Sequence, residues 1–467
     1  MMNSKAFPTS TQGRLKLFFT FFDSRWEDLT KDNWMATVYK DFSAGLIVAM
    51  TAIPMAMGFA IAMGMRPEHG IIAGALACVV GRTFGGSKYQ VYGPTAAFIP
   101  VIAALIYKYG PANGGSFEQA HGFLIFVSII SGIVLIILGI VGAGKYAKLV
   151  PNSIIVGFTI GIAVAIALTN FKDILGLPAF SALFGESSDI TNKLSHAFSN
   201  LHLINLWAVF IGLMTFVLTK TLLRISIFIP GPVISMALAT ILAATLLGDK
   251  NIILVKDMFG SIPNNFFIIT LPFLPELSSG VIVDIIYFVC AIVFVSGVES
   301  ILCSSMADKL AENKKTPFNP DKEFFGQGMV QIITPLVQGF PCTGALARTA
   351  TSIKAGARTP LAGYFKAILK LSMAFYLAQY LELIPMACIG GILVWVASNM
   401  IKVREIKEIK HLGKFEFSMM LYTAVMVPLT DFLTGVLSAL IIYYLVKKMF
   451  QRNTRKKEAF EKQLAEG

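Results

Sequence analysis

Residues 121–142, HGFLIFVSIISGIVLIILGIVG, contain no Asp, Glu, Lys or Arg. A helix of that length spans about 33 Å, enough to cross the hydrocarbon core of a bilayer. Residues 231–248, GPVISMALATILAATLLG, form a second such run. In lipid, backbone N–H and C=O groups must be satisfied internally, which leaves helices or closed barrels. The runs lack the two-residue alternation of barrel strands. Because 55% of the 467 residues are hydrophobic and only 14% are charged, such runs make up most of the chain. They predict an all-α polytopic membrane protein.

Fourteen membrane segments can be read, near 42–64, 67–83, 94–108, 121–142, 149–171, 203–222, 229–248, 280–306, 323–340, 343–355, 361–381, 384–400, 415–430 and 431–449. The third and tenth are too short to cross as complete helices.

The net charge of +12 invites a nucleic-acid partner, but its distribution excludes one. With the N-terminus inside, thirty of the 39 Lys and Arg residues fall on the cytoplasmic side. Only Arg66, Lys108, Lys172, Lys193, Lys250 and Lys256 fall outside, a strong positive-inside bias. An odd number of spans would expose one basic terminus. The expectation is therefore fourteen spans with both termini cytoplasmic, in a bacterial inner (plasma) membrane. The first apolar patch, LKLFFTFF at 15–22, is too short for a signal peptide and reads as an interfacial helix.

Enzyme chemistry finds no support. Cys78, Cys290, Cys303, Cys342 and Cys388 lack metal-ligand spacing and read as reduced packing residues. There is no H-E-x-x-H arrangement, phosphate-binding glycine loop or serine-hydrolase elbow. No metal or cofactor is expected.

The short segments carry the most information. QGFPCTGALART, 338–349, places Pro341, two glycines, two threonines and Arg348 after a long apolar run. YQVYGPTAAFIPV, 89–101, repeats the pattern in the first half: two long spans, a Pro/Gly break, then small residues resuming a helix. Interrupted segments at matching places in two halves point to a transporter's binding site. A half-helix starting in mid-membrane presents unpaired amides and the positive end of its dipole, so two facing ends form an anion site. The predicted donors are the amides near Thr95, Ala96 and Ala97 and near Gly344, Ala345 and Leu346, with hydroxyls from Thr95 and Thr343. The simpler alternative is a pair of proline kinks.

Arg348 lies about 7.5 Å beyond Thr343 along a helix. It could lean toward the anion or snorkel to the inner surface. Glu299, within FVSGVESILCSSMADKL (294–310), needs a partner, water or a proton at mid-span. It reads as a proton carrier or as an ion pair with Arg348. Ser296, Ser300, Cys303 and Ser304 lie around it at helical spacing and could hydrate or coordinate a cation. Asp308 reads as interfacial, and Asp284 and Asp431 as structural. Lys366 and Lys370 share a face of the eleventh span and read as snorkelling anchors without a transport role.

The segments DFSAGLIVAMTAIPMAMGFAIAMGM, YGPTAAFIP, DKEFFGQGMVQ and GFPCTGALARTATSIKAGARTPLAG resemble the SulP anion transporters, in order and from about Asp41 to Lys448. The resemblance implies two inverted seven-span repeats within a transmembrane domain at 41–449. Its core holds spans 1–4 and 8–11 (about 41–142 and 280–381). Its gate holds spans 5–7 and 12–14 (about 149–248 and 384–449). It also implies an anion held between the third and tenth half-helices, elevator motion of core past gate, and a homodimer.

Position by position, the family's third-span amides match Pro94, Thr95, Ala96 and Ala97. Its tenth-span amides match Gly344, Ala345, Leu346 and Ala347. Arg348 matches the arginine of a Ser-Arg-Ser/Thr pattern, with Ala347 replacing the first serine. Glu299 matches an acidic coupling position. The sodium-coupled bicarbonate branch has aspartate there and threonine four residues on, whereas this chain has glutamate and Cys303, a poorer sodium pair, which favours H⁺ over Na⁺; Ser300 and Cys303 remain the neighbouring coupling candidates. Met55 and Phe59, lining the first span, replace a common glutamine and tyrosine and point toward bicarbonate, while Arg348 points toward sulfate. A cytoplasmic arm (1–40) precedes the domain and a basic tail (450–467) follows it. The family's C-terminal STAS domain is either naturally absent or trimmed.

The resulting expectation is an H⁺-coupled symporter of sulfate or a similar oxyanion. The alternatives are a bicarbonate symporter coupled to Na⁺ or H⁺, or an uncoupled anion channel or exchanger. Its partners would be a small inorganic anion, the coupling ion and the lipid bilayer.

Overall fold

The computed structural model of the chain describes residues 10–144, 146, 150–177, 201–262, 268–430 and 433–449. The tail at 450–467, the first nine residues of the arm, Asp431, and Lys145, Lys148 and Lys193 of the charge tally lie outside the described residues.

Each of the fourteen expected segments contains a helix, numbered here in chain order. The first half has α1 (Trp34–Ala62), α2 (Pro67–Phe84), α3 (Ile99–Tyr109), α4 (Phe117–Val141), α5 (Asn152–Ile174), α6 (Leu206–Ile225) and α7 (Gly231–Thr245). The second has α8 (Ser279–Leu310), α9 (Pro320–Leu336), α10 (Leu346–Lys354), α11 (Leu361–Leu381), α12 (Met386–Met400), α13 (Lys414–Leu429) and α14 (433–449). Seven stretches among the described residues are long and apolar enough to cross a membrane alone. Most of the others are shortened by glycine or proline, or carry polar groups that only a bundle interior can satisfy.

Local chemistry sets the boundaries. The N-terminus of α4 is a capping box: Gln119 N donates to Ser116 Oγ and Ser116 N to Gln119 Oε1, both at 3.1 Å. Its C-terminus is closed by Gly142 in the left-handed region, at φ 85°. Asn319 caps α9, accepting from the amides of Asp321 and Lys322, with Pro320 in the first turn.

Two short strands lie where the sequence breaks. β1 (Tyr92–Gly93) pairs antiparallel with β2 (Thr343–Gly344), Tyr92 opposite Gly344 and Gly93 opposite Thr343. Antiparallel pairing of equivalent segments is the local expression of two inverted halves. Around it the halves interleave: α4 packs on α9, α1 on α11, α5 on α13 and α6 on α12. The α4–α9 contact is close enough that a Cβ on Gly132 would strike the Gly328 carbonyl, and one on Gly328 the Gly132 carbonyl.

One face gathers the N-terminal arm with the ends of α2, α4 and α9. Arg25 donates to the carbonyls of Arg82 and Gly85, and Arg14 to that of Ile140. Ion pairs join Lys88 to Asp28, Lys322 to Asp23 and Arg14 to Asp321. The opposite face joins Lys108 to Asp284 and the Val255 amide to the Ile384 carbonyl. These groupings agree with the alternation expected of the spans.

Two expectations about the arm change. α1 begins eight residues before the predicted 42, carrying Asp41 into the bundle. There Asp41 accepts from the amides of Arg358 and Thr359, ahead of α11. The arm's helix covers Thr11–Phe18 and not 15–22. Phe18 is buried and stacks on Phe325 at 4.7 Å, so the patch docks partly on protein because an aromatic partner outcompetes the interface.

Candidate functional site

The two breaks meet. β1 leads into a 3₁₀ turn, Ala96–Phe98, and then α3; β2 leads directly into α10. Thr95 and Ala345 are the residues preceding the first turns, and neither helix start has a side-chain cap. The amides of Ala96 and Ala97 on one side, and of Leu346 and Ala347 on the other, have no acceptor among the described residues. Ala347 is exposed and Leu346 half-buried, so the α10 start borders open space. Two unpaired helix starts held by one strand pair can take an anion between them.

Not every predicted donor is free. The Ala345 amide donates to the Val91 carbonyl at 2.9 Å, because strand pairing continues past Gly344. A Cβ on Gly344 would strike the Gln90 side chain, so the β2 backbone packs directly on the β1 loop. Thr95 donates its hydroxyl to Glu299 Oε2 at 2.9 Å, and Thr343 donates to the Ser296 carbonyl at 3.3 Å. Both hydroxyls fix the breaks to α8.

Arg348 neither snorkels nor pairs with Glu299. It is buried, and its Nη2 donates to the Pro94 carbonyl. Its Nη1 lies against Gly93 and has no hydrogen-bond partner among the described residues. The guanidinium reaches from α10 to the opposite break, placing a positive charge behind both helix starts. Glu299 is partly exposed and, among the described residues, accepts from Thr95 alone.

The other coupling candidates separate from Glu299. Ser300 donates to Glu323 at 2.6 Å, and Cys303 contacts the Thr349 hydroxyl at 3.3 Å. Ser296 accepts from Gln331, and Ser304 donates to Gln90. Ser300 and Ser304 lie about 100° and 140° around α8 from Glu299, which turns them toward α9 and the β1 loop. Among the described residues, none of these four side chains bonds to the Glu299 carboxylate. Met55 and Phe59 lie one turn apart on α1 within the main apolar cluster, Met55 at the margin of burial.

Lys366 and Lys370 are the clearest misreading. Both are buried: Lys366 Nζ donates to the carbonyls of Tyr92 at 2.8 Å and Gly74 at 3.0 Å, and Lys370 Nζ to that of Gly70 at 3.2 Å. The α2 backbone offers acceptors within reach, so neither chain extends to a surface.

Glu323 is absent from the expected site. It accepts from Tyr92 Oη, Gln90 Nε2, Ser300 Oγ and the amides of Gly86 and Ser87, all between 2.6 and 3.1 Å. Gln327 and Gln331 hold the other break, both donating to the Cys342 carbonyl. Their presence in DKEFFGQGMVQ, as an acid and two amides inside a span, was the available signal.

The model of the sulfate permease family matches residues 38–423. The chain belongs to the sulfate permease family. Among its relatives, this sulfate permease family member is 31% identical to the putative sulfate transporter YvdB of Bacillus subtilis over 407 residues, 87% of this chain and 72% of that one. It is 26% identical to the bicarbonate transporter BicA of a Picosynechococcus species over 77% of this chain and 61% of that protein. Among solved structures, the transmembrane domain of a cyanobacterial BicA aligns at TM-score 0.74 and 23% identity, over 86% of this chain and 97% of that one. The structure of SLC26A9 aligns at 0.79 and 16%, over 94% and 70%. The family member thus shares the fold of these membrane domains, with two inverted halves of seven segments.

Proposed function

We propose that the protein is a secondary active symporter that carries sulfate or a similar oxyanion together with H⁺. The observation that carries this reading is the meeting of two uncapped helix starts, with Arg348 spanning from one to the Pro94 carbonyl of the other. In a site shielded from water, such pre-aligned dipoles bind an anion without reorganising. Glu299, bonded through Thr95 to the third-segment break, supports the coupling role. A proton on Glu299 would lower the negative charge facing an incoming anion, so proton and anion binding favour each other.

The proposed movement is elevator-like, with spans 1–4 and 8–11 carrying the site past spans 5–7 and 12–14. The proposed assembly is a homodimer with both termini cytoplasmic. The thirty-to-six distribution of basic residues supports that orientation.

Bicarbonate is a second reading. It is favoured by the apolar pair Met55 and Phe59 and by the likeness to BicA. Uptake of labelled sulfate and bicarbonate into proteoliposomes separates the two. The account expects saturable sulfate uptake that exceeds bicarbonate uptake, and the reverse order would replace it.

A further inference from the structure

On the face opposite the arm, the start of α2, the start of α4 and the turn after α9 come together. There His69 of α2 and His121 of α4 pack with ring centroids 4.9 Å apart, and Phe117 lies 5.8 and 5.9 Å from them. Both imidazoles are buried, at 5% and 3% exposed. His121 Nε2 donates to the Gly339 carbonyl at 3.1 Å, while His69 Nδ1 has no hydrogen-bond partner among the described residues. A buried ring nitrogen left unpaired is costly and calls for an explanation.

Around the pair, Arg66 and Glu68 bond to each other at the head of α2, leaving Glu68 Oε2 unpartnered among the described residues. Lys370 of α11 reaches the Gly70 carbonyl, and Lys108 and Tyr109 of α3 bond to Asp284 of α8. Glu118 lies exposed one turn before His121. Among the described residues, no carboxylate pairs with either ring.

A line of polar groups leads inward from the pair. Gln338 takes a left-handed φ of 53°, and the Gly339 amide turns back to the Thr334 carbonyl at 3.1 Å. Gln327, Gln331 and Thr334 share one face of α9 and are fully buried. Thr334 Oγ1 and Gln327 Oε1 have no partner among the described residues. Gln331 Nε2 donates to Ser296 Oγ at 2.7 Å, and Ser296 lies one turn before Glu299 on α8. Ser296 meets Gln331 and Ser300 meets Glu323, so the two helices run antiparallel and Gln327 comes near the level of Glu299.

We infer that His69 and His121 form a proton-binding site on the outer side of the bundle, which loads Glu299 along the polar face of α9. This deepens the coupling reading above and rests on it. A ring nitrogen takes a proton from external water. Two rings this close share one added proton, because a second would meet a like charge. Water held by the unpartnered oxygens of Thr334 and Gln327 and by Ser296 then passes a proton to a Glu299 carboxylate oxygen. The pair returns to neutral for the next cycle.

The test uses sealed proteoliposomes and labelled sulfate, with the internal pH fixed. The external pH is stepped between about 5 and 8, where histidine changes charge. Wild-type uptake should climb as the outside is acidified. His69→Phe keeps an aromatic ring beside Phe117, and Thr334→Val removes only the unpartnered hydroxyl. In both, the climb should flatten, with proton-driven uptake falling about tenfold more than sulfate exchange at equal pH. A wild-type external-pH profile in either variant overturns the inference and leaves the coupling reading standing. Equal loss of uptake and exchange, in protein that remains monodisperse, also overturns it, by reducing these residues to packing. Wild-type uptake that ignores external pH defeats the coupling reading and the inference with it.

Discussion

Arg348 and Glu299 approach the same break from different helices and do not pair with each other. Arg348→Ala should weaken sulfate binding by about tenfold or more, because a charge in a water-poor site is felt strongly; equilibrium binding to detergent-solubilised protein measures it. Glu299→Gln keeps the shape and the Thr95 contact but removes the titrating oxygen. Concentrative uptake should be lost while exchange of labelled for unlabelled sulfate persists, and normal accumulation would end the coupling role. These two residues were legible in sequence because an isolated charge in an apolar run demands an explanation. Lys366 and Lys370 were as conspicuous but were misread, because their acceptors are backbone carbonyls of a helix nearly 300 residues away. Glu323 was hidden in DKEFF, where an acid near a span end resembles an interfacial residue.

At the scale of elements, both breaks are held by polar side chains of α9. Glu323 ties the β1 loop through Gln90 and Tyr92, and Gln331 ties β2 through Cys342. Glu323→Gln replaces an acceptor with a donor facing five donors. It should cost about 1–3 kcal/mol, visible as a lower thermal midpoint in detergent. The arm is a second such element. Burial raises the pKa of Asp23, but Arg25 and Lys322 outweigh it and hold the carboxyl below its ordinary 3.8. A depressed pKa contributes stability that is complete above the ordinary value and fades as the pH falls through the lowered one. Arm docking should therefore be indifferent to pH near neutrality and loosen only in strong acid. Asp23→Asn should loosen it at pH 7, read as faster tryptic cleavage at Arg25 or Lys31. Half-helices and span limits were legible from Pro, Gly and hydropathy. The strand pair and the amide it occupies at Ala345 were not, since pairing joins residues some 250 positions apart.

Across the whole molecule, elevator motion requires the proposed core to slide on the proposed gate. Gly58 of α1 lies against α12, where a Cβ would crowd Leu393 Cδ2 at 2.9 Å. Gly58→Leu should block this contact, at an overpacking cost of about 1–3 kcal/mol, and slow uptake more than it weakens binding. The all-α fold with fourteen segments was readable because lipid permits so few architectures. Which helices touch was not, because apolar faces in a membrane match many partners.

Proton-driven accumulation of sulfate is the central claim, and one measurement tests it directly. Purified protein in sealed proteoliposomes is given labelled sulfate with an inward acid gradient at clamped membrane potential. The account predicts transient accumulation above the external concentration, abolished by a protonophore and absent without the gradient. Sulfate accumulation that is unaffected by the pH gradient would contradict it.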